Sequence, residues 1–139
     1  MSQFAHASLR GLIEFEGTYL FLKHEMPSGP IWGVPGGRAE LGEDPRETVE
    51  REVLEETGLR VQAGDPLEAY AYTWAEGEEG TVSVVFDCDL LDEPDAVDLE
   101  ANPRPEEPIT EYAWLEPAEI TTVPVNGALR ELIVGPNAV

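Results

Sequence analysis

The chain has 139 residues, with 8 Lys and Arg against 29 Asp and Glu, and its formal net charge is −21. This size predicts one domain, residues 1–139, and the single Cys88 excludes an internal disulfide. The charge excludes a general nucleic-acid or anionic-membrane binder, which needs clustered Lys and Arg, and the lack of a signal peptide or a long apolar run predicts a cytoplasmic protein.

The N-terminal third is predicted to contain a hairpin followed by a loop. Residues 7–15 alternate weakly between apolar and polar, and a second run at 18–24 follows after Glu16-Gly17, at hairpin distance. Pro and Gly residues then bracket the apolar patch 31–34. We therefore expect two antiparallel strands, then a loop with one short strand and no regular structure at 27–30 or 35–37.

Residues 45–57 carry strong signals for a helix. Asp44 is a candidate N-cap, Pro45 suits the first helical position, and Glu47 is placed to complete a capping box. Gly58 supplies a residue that ends helices in the left-handed conformation. The sequence therefore predicts a helix that begins at Pro45 and ends at Thr57.

The remaining elements are predicted less sharply. Two strands, 67–74 and 81–91, are expected to pair across an acidic turn, and 111–115 forms a last strand. A short turn at 117–120 and a helix at 126–134 follow. Residues 92–108 contain seven acidic residues and four prolines, which predicts an irregular connection. A plain solvated connection is the preferred interpretation, with a mobile rim as the alternative.

The predicted helix carries an unusual group of carboxylates. Glu52, Glu55 and Glu56 fall on one helical face, where they repel one another and oppose the helix dipole. A hard divalent cation such as Mg²⁺ or Mn²⁺ relieves this conflict, because such ions prefer oxygen ligands. An ordinary solvated acidic face is the alternative interpretation in so acidic a chain.

The spacing of residues 37–59 narrows this choice. It resembles the Nudix box at each defining position, and the resemblance extends to the preceding Trp-Gly-Val-Pro-Gly-Gly at 32–37 and to the strand at 111–115. The matching positions of the box are Gly37, Glu43, Arg51, Glu52, Val53, Glu55, Glu56, Gly58 and Leu59.

This resemblance implies an α+β Nudix fold, with a mixed β-sheet sandwiched between α-helices. It implies metal-dependent hydrolysis of a nucleoside diphosphate linked to another group X. The implied metal ligands are Glu52, Glu55, Glu56 and the Gly36 carbonyl, with Arg51 orienting Glu52. Glu43 is expected to pair within the loop or to hold a metal-bound water. The first candidate for the general base is Glu52, followed by Glu106 or Glu107.

The identity of X stays open in the sequence. The proline expected near residue 75 in ADP-ribose hydrolases is absent, and Tyr72 lies slightly early for the tyrosine of diadenosine polyphosphate hydrolases. We favour a MutT-like nucleoside triphosphate pyrophosphohydrolase. The alternatives are an ADP-ribose or nucleotide-sugar pyrophosphatase and a non-catalytic nucleotide-sensing module.

Several further side chains are candidates with a plainer alternative. Trp32 and Tyr72 are predicted to bind substrate by stacking on a base, as Tyr70 and Trp74 also can, although aromatic residues in strands more often belong to the core. His6 and His24 are expected to be incidental, and Cys88 a small buried hydrophobe. The expected partner is a small nucleotide, and a homodimer is possible.

The acidity itself predicts adaptation to salt. Carboxylates spread along the whole chain repel one another at low ionic strength, while 42% hydrophobic residues in periodic segments argue against disorder. We therefore expect folding to need screening by salt on the order of 1 M or more.

Overall fold

The computed structural model of the chain describes residues 3–102 and 108–135. Its strands and helices follow the predicted order, with one added strand and two added turns of 3₁₀-helix that are described below. The strands are β1 (His6–Phe15), β2 (Thr18–Met26), β3 (Gly29–Gly33), β4 (Gly36–Arg38), β5 (Val61–Trp74), β6 (Glu79–Leu90) and β7 (Ile109–Leu115), and the helices are α1 (Pro45–Thr57), α2 (Pro117–Ile120) and α3 (Gly127–Val134).

The strands form one mixed sheet in the order β3-β2-β1-β6-β5, with β4 added beside β1 and β7 beside β2. The pairing of β1 with β6 is parallel, and the other strand pairs are antiparallel. The predicted hairpin between β1 and β2 is present, but its register covers only Glu14 with Tyr19 and Phe15 with Thr18. Beyond those pairs the two strands diverge, and β4 takes the open position beside β1.

Helices cover both faces of the sheet, which confirms the expected sandwich. Alternate residues of a strand point to opposite faces. On β1, Leu9 and Ile13 pack with Val49 and Val53 of α1, while Leu12 lies in a second core with residues of the other two helices. The members of that second core include Ile120 of α2 and Leu129 of α3. No helix in the described residues is long and apolar enough to cross a membrane.

Helix α1 begins and ends where the sequence predicts. The Asp44 carboxylate accepts the backbone N–H of Arg46 at 2.9 Å, and Gly58 ends the helix at φ 76°, with its own N–H donated to Leu54. The capping box expected from Glu47 does not form in this described segment. Instead, Glu43 lies before the helix and accepts the Thr48 hydroxyl at 2.7 Å.

Three strands differ from the sequence prediction. Strand β3 begins at Gly29, within a segment expected to lack regular structure, because Gly29 and Pro30 pair with the end of β2. The second such segment contains β4, in which Gly36 pairs with Arg10 of β1. Strand β5 begins at Val61 rather than at residue 67. It continues through the breakers Gly64, Asp65 and Pro66 because the register with β6 shifts on either side of Pro66.

The acidic connection after β6 also contains more local structure than expected. Single turns of 3₁₀-helix form at Pro94–Ala96 and Leu99–Ala101. The first begins with a proline, and the second is capped by Asp98, whose carboxylate accepts the N–H of Glu100 at 3.1 Å. Glu106 and Glu107, farther along this connection, lie outside the described residues.

Candidate active site

Two carboxylates of α1 are buried at the edge of the sheet. Glu52 is 1% exposed and Glu56 is 4% exposed, although buried carboxylates are rare without partners. They lie one turn apart and continue the stripe of α1 that carries Val49 and Val53 into the core. The same helical face thus anchors the helix and brings two negative charges to one place.

A pair of glycines makes room for these carboxylates. The backbone N–H of Gly36 donates to Oε1 of Glu56 at 2.9 Å. At Gly37, a Cβ atom would lie 2.6 Å from the carboxyl carbon of Glu52, closer than carbon atoms approach in packed proteins. A Cβ at Gly36 would lie 2.3 Å from the backbone oxygen of Leu9. Gly36 therefore lets β4 approach β1, and Gly37 leaves the space that the Glu52 carboxylate occupies.

Arg51 joins the acidic side chains around the start and end of α1. Its Nη1 donates to Oε1 of Glu52 at 2.9 Å and lies 3.3 Å from both oxygens of Glu55. On the other side, Nε and Nη2 bind the two oxygens of Glu43 at 2.8 and 3.0 Å. This forked contact with Glu43 is the geometry in which guanidinium and carboxylate bind most strongly.

The same contacts shift the pKa values of Glu43 and Arg51. The hydrogen bond from Arg51 is the main cause that lowers the pKa of Glu43 to about 2, helped by the backbone N–H of Glu40. Conversely, the bond to Glu43 is the main cause that raises the pKa of Arg51 above its usual value. Both groups therefore stay charged across the pH range in which proteins are usually handled.

Two adjoining cavities lie against this cluster. The first has a volume of about 530 Å³ and is lined by the glycine pair, Glu52 and Glu56, together with polar residues of β1. The second has a volume of about 510 Å³ and is lined largely by aromatic and other apolar side chains. The cavities share Arg10, His24, Met26, Tyr72 and Trp74, so they adjoin one another, and we refer to the pair as the groove.

The predicted site residues occupy three positions relative to this groove. Glu52, Glu56 and Gly36 line the first cavity, and Trp32 and Tyr72 line the second. In the described part of the chain, neither cavity is lined by Glu43, Arg51 or Glu55. Arg51 instead connects Glu43 and Glu55 to Glu52.

Sequence reasoning did not single out Arg10 and treated His24 as incidental, yet both line the two cavities. The available signal was the alternation of His6, Ser8 and Arg10 on β1, which turns three polar side chains to one face. Burial is the main cause that lowers the pKa of His24 to about 4, and the charge of Arg10 adds to it. At neutral pH this ring is therefore uncharged.

The donor chemistry fits a hard divalent cation. In residues 3–102 and 108–135, no group of three or more Asp, Glu, His or Cys side chains is arranged to hold a metal ion. Mg²⁺, however, is commonly bound through one or two carboxylates, with water and substrate phosphates completing its shell. Glu52 and Glu56 supply two carboxylates to one cavity. The Glu52 carboxylate occupies the space that a side chain at position 37 would need. The chemistry of these two residues is therefore compatible with a divalent cation whose remaining ligands come from water and a phosphorylated ligand.

Comparisons with known proteins show which family and which solved structures the chain resembles. The model of the NUDIX domain matches residues 6–133. A MutT-like protein from Streptomyces ambofaciens is 32% identical over 114 residues, covering 82% of this chain and 66% of that protein, so the chain spans about two thirds of that relative's length. The nucleoside triphosphatase NudI of Escherichia coli strain K12 is 26% identical over 134 residues, and the match covers 88% of this chain and 89% of that protein. Among solved structures, the MutT protein from Methanosarcina mazei Go1 superposes with a TM-score of 0.76 at 24% identity, covering 96% of this chain and 93% of that one.

Proposed function

Since the chain belongs to the Nudix family and is a pyrophosphohydrolase of that family, we propose that its substrates are nucleoside triphosphates, which it converts to nucleoside monophosphate and pyrophosphate. The observation that carries the proposal is the pair of buried glutamates facing a groove whose far end is aromatic. The curated relative from E. coli is named a nucleoside triphosphatase, which supports the same substrate class.

The groove suits the two chemical parts of a nucleotide. Its second cavity contains Trp32, Tyr70 and Tyr72, and flat aromatic faces stack on any base. The first cavity contains Glu52 and Glu56, where a triphosphate can bind only with cations that offset the negative charge. We propose that the base occupies the second cavity and that the phosphates lie beside the glutamates.

Glu52 and Glu56 are the groups proposed to hold Mg²⁺ or Mn²⁺, with Glu55 and the Gly36 carbonyl as further ligands. Such an ion, when bound, neutralises phosphate charge and acidifies water. The chain's own part is to hold these carboxylates in place: Arg51 donates to one oxygen of Glu52, and the Gly36 N–H donates to one oxygen of Glu56.

The hydrolytic step needs a proton acceptor. A water oxygen attacks phosphorus, the phosphoanhydride bond breaks, and the proton lost by the water passes to a carboxylate while the leaving oxygen takes up the electron pair. Glu52 is our first candidate for this acceptor, because it lines the first cavity and Arg51 orients it through a hydrogen bond to Oε1. Glu106 and Glu107 are the other candidates.

Product analysis on a substrate panel tests the proposal. The panel comprises ATP, GTP, CTP, UTP, ADP-ribose, a UDP-sugar and a diadenosine polyphosphate, each with Mg²⁺ or Mn²⁺, at low and at multimolar KCl. We expect metal-dependent release of pyrophosphate from triphosphates. Turnover restricted to ADP-ribose or the UDP-sugar would keep the hydrolase and correct its substrate class, and no turnover by a folded chain would contradict the proposal.

Site variants test the residues. Glu56→Gln is expected to lower kcat by roughly 10³-fold, because it removes the charge of a carboxylate at the reacting centre while keeping its size. Glu47→Gln, on an exposed position of the same helix, is the matched control and should stay close to wild type. Near wild-type turnover in Glu56→Gln would show that the assigned site is wrong.

Three broader predictions from the sequence stay as proposals: a single domain, a cytoplasmic location and a homodimer. Light scattering coupled to size-exclusion chromatography at high KCl tests the last. A mass of 15.3 kDa, that of one chain, across the working concentration range would contradict dimer formation.

A further inference from the structure

Arg10 lies where the two cavities meet. It is the cation common to both sets of lining residues among the described parts of the chain, whereas Arg38 lines the first cavity alone. Arg10 also pairs with Gly36 across β1 and β4, so its backbone adjoins the residue whose N–H binds Glu56. A ligand that reaches from the aromatic cavity to the glutamates therefore passes Arg10.

The guanidinium of Arg10 is oriented, and none of the acidic side chains that the structure describes is paired with it. Its Nη1 donates to the backbone oxygen of Val34 at 2.8 Å, which fixes one edge of the group. No carboxylate of the described residues lies within 4 Å of it, whereas Lys23, Arg51 and Arg60 each form an ion pair. In a chain of net charge −21, an arginine that lies in a groove and has no acidic partner among the described residues is a position at which an anion can bind.

The neighbours of Arg10 leave its charge available to a ligand. Tyr70 and His24 lie close enough for the charge of Arg10 to lower the pKa of each, although burial is the larger influence on both groups. His24 is uncharged at neutral pH, so it neither neutralises the arginine nor adds a competing cation. An aromatic hydroxyl and a neutral ring thus flank the guanidinium on the side of the second cavity.

We infer that Arg10 binds the phosphate attached directly to the nucleoside, and so fixes the nucleoside in the second cavity relative to the scissile bond. This inference rests on the proposed function, because it assumes a nucleotide with its base among Trp32, Tyr70 and Tyr72 and its outer phosphates at Glu52 and Glu56. The bond to Val34 uses one N–H of the guanidinium, and the remaining N–H groups are the donors that we assign to charge-assisted hydrogen bonds with this phosphate. Arg10 is then a substrate-binding residue that acts on the nucleoside side of the reacting centre.

The test measures binding without turnover. AMP, GMP, CMP and UMP and the four corresponding nucleosides are titrated into the full chain in EDTA and high KCl, followed by calorimetry, for wild type, Arg10→Gln and Arg10→Lys. Arg60→Gln is the control, because it removes the same charge from an exposed ion pair with Asp92 that lies away from both cavities. Urea unfolding of each variant confirms that it is folded.

The quantity that tests the inference is the ratio of the affinity for a nucleoside monophosphate to the affinity for its nucleoside. We expect wild type to bind at least one monophosphate more tightly than its nucleoside, and Arg10→Gln to reduce that ratio by roughly 10- to 100-fold with little change for the nucleoside. Arg10→Lys should restore part of the ratio, since it keeps the charge but not the fork, and Arg60→Gln should match wild type.

Three results would overturn the inference. The first is an unchanged affinity ratio in Arg10→Gln. The second is an equal loss of affinity for nucleoside and monophosphate in that variant, which would assign Arg10 to shaping the groove through Val34. The third is a wild-type protein that binds no monophosphate more tightly than its nucleoside. The proposed function is judged separately, by pyrophosphate release from triphosphates in the wild-type chain. Turnover with an unchanged ratio would therefore reject the role of Arg10 alone.

Discussion

At the scale of single residues, the site depends on two glycines, and a methyl group added at each would collide with a different part of the protein. At Gly36 the added Cβ meets the backbone oxygen of Leu9 and the backbone of Arg10, which cannot move without displacing β1. At Gly37 its three nearest atoms belong to the carboxylate of Glu52, the far end of a side chain. The first position therefore tests the fold, and the second tests the placement of a carboxylate that we propose to be catalytic.

Gly37→Ala is expected to lower turnover by about 10- to 100-fold, the range seen when the geometry around a metal ligand is disturbed. Its urea midpoint should stay near that of wild type, because the Glu52 side chain can shift. Steady-state kinetics and urea unfolding measure the two effects. Gly127→Ala, where a Cβ meets nothing within 4 Å, is the matched control, and a Gly37→Ala enzyme of full activity would contradict the close contact with Glu52.

His24 gives the protein a pH-dependent stability that one variant isolates. Its pKa falls from 6.5 to about 4 on folding, so the unfolded chain binds a proton more readily between these values, and wild-type stability should fall as pH drops from 6.5 to 4. Relative to His24→Gln, we expect a loss on the order of 2 kcal/mol over this range, since the ring keeps part of its contact with water.

Urea unfolding at pH 7, 6, 5 and 4 in constant high KCl measures the effect of His24. The carboxylates titrate in both proteins, so their contribution cancels in the difference between wild type and variant. A difference that does not change with pH would show that the ring is accessible to protons in the folded state.

At the scale of elements, α1 is specified by its own ends. Asp44→Ala removes the acceptor for the Arg46 N–H and should lower the free energy of unfolding by about 1 kcal/mol. Gly58→Ala forces a side chain into φ 76° and should cost about 1–2 kcal/mol. Asp44→Asn, which keeps an oxygen acceptor, is the control for the first, and chemical unfolding measures all three. Equal stability of Asp44→Ala and Asp44→Asn would argue against the capping bond.

The helix was predictable because its signals are local, whereas two strands depend on distant partners. Asp44, Pro45 and Gly58 define α1 within 15 residues. In contrast, Gly36-Gly37 has poor strand propensity, and β4 forms because β1 and β2 diverge and leave a position beside Arg10. The start of β5 at Val61 was likewise missed, since Pro66 is tolerated only through a register shift against β6.

The same distinction separates the two halves of the candidate site. Its acidic half lies within residues 36–56, so the spacing of Glu43, Arg51, Glu52 and Glu56 was visible in the sequence. The other half brings together Arg10, His24 and Tyr70 from β1, β2 and β5. No local spacing reports that contact, because it depends on the strand order of the sheet.

At the scale of the whole molecule, charge is the dominant feature. The formal charge of −21 is concentrated in a chain of 15.3 kDa, and the ion pairs of the described residues use only a few of its acidic groups. Exposed carboxylates that lack cationic neighbours repel one another through water over about 10 Å at 0.1 M salt and only about 3 Å at 1 M. The folded state brings them closer together than the unfolded chain does, so salt should stabilise the fold.

We therefore expect the urea midpoint to rise with KCl, by roughly 1 M urea or more between 0.1 and 2 M salt, given the usual dependence on urea for a chain of this size. Most of the rise should occur below about 1 M, where the screening length changes most. The double variant Glu76→Gln, Glu78→Gln removes two exposed charges from the turn between β5 and β6. It should be more stable than wild type at 0.1 M KCl and equal to it at 2 M. Midpoints that stay flat with KCl would contradict the salt adaptation, while an advantage of the double variant that persists at 2 M would assign its effect to the turn itself rather than to repulsion.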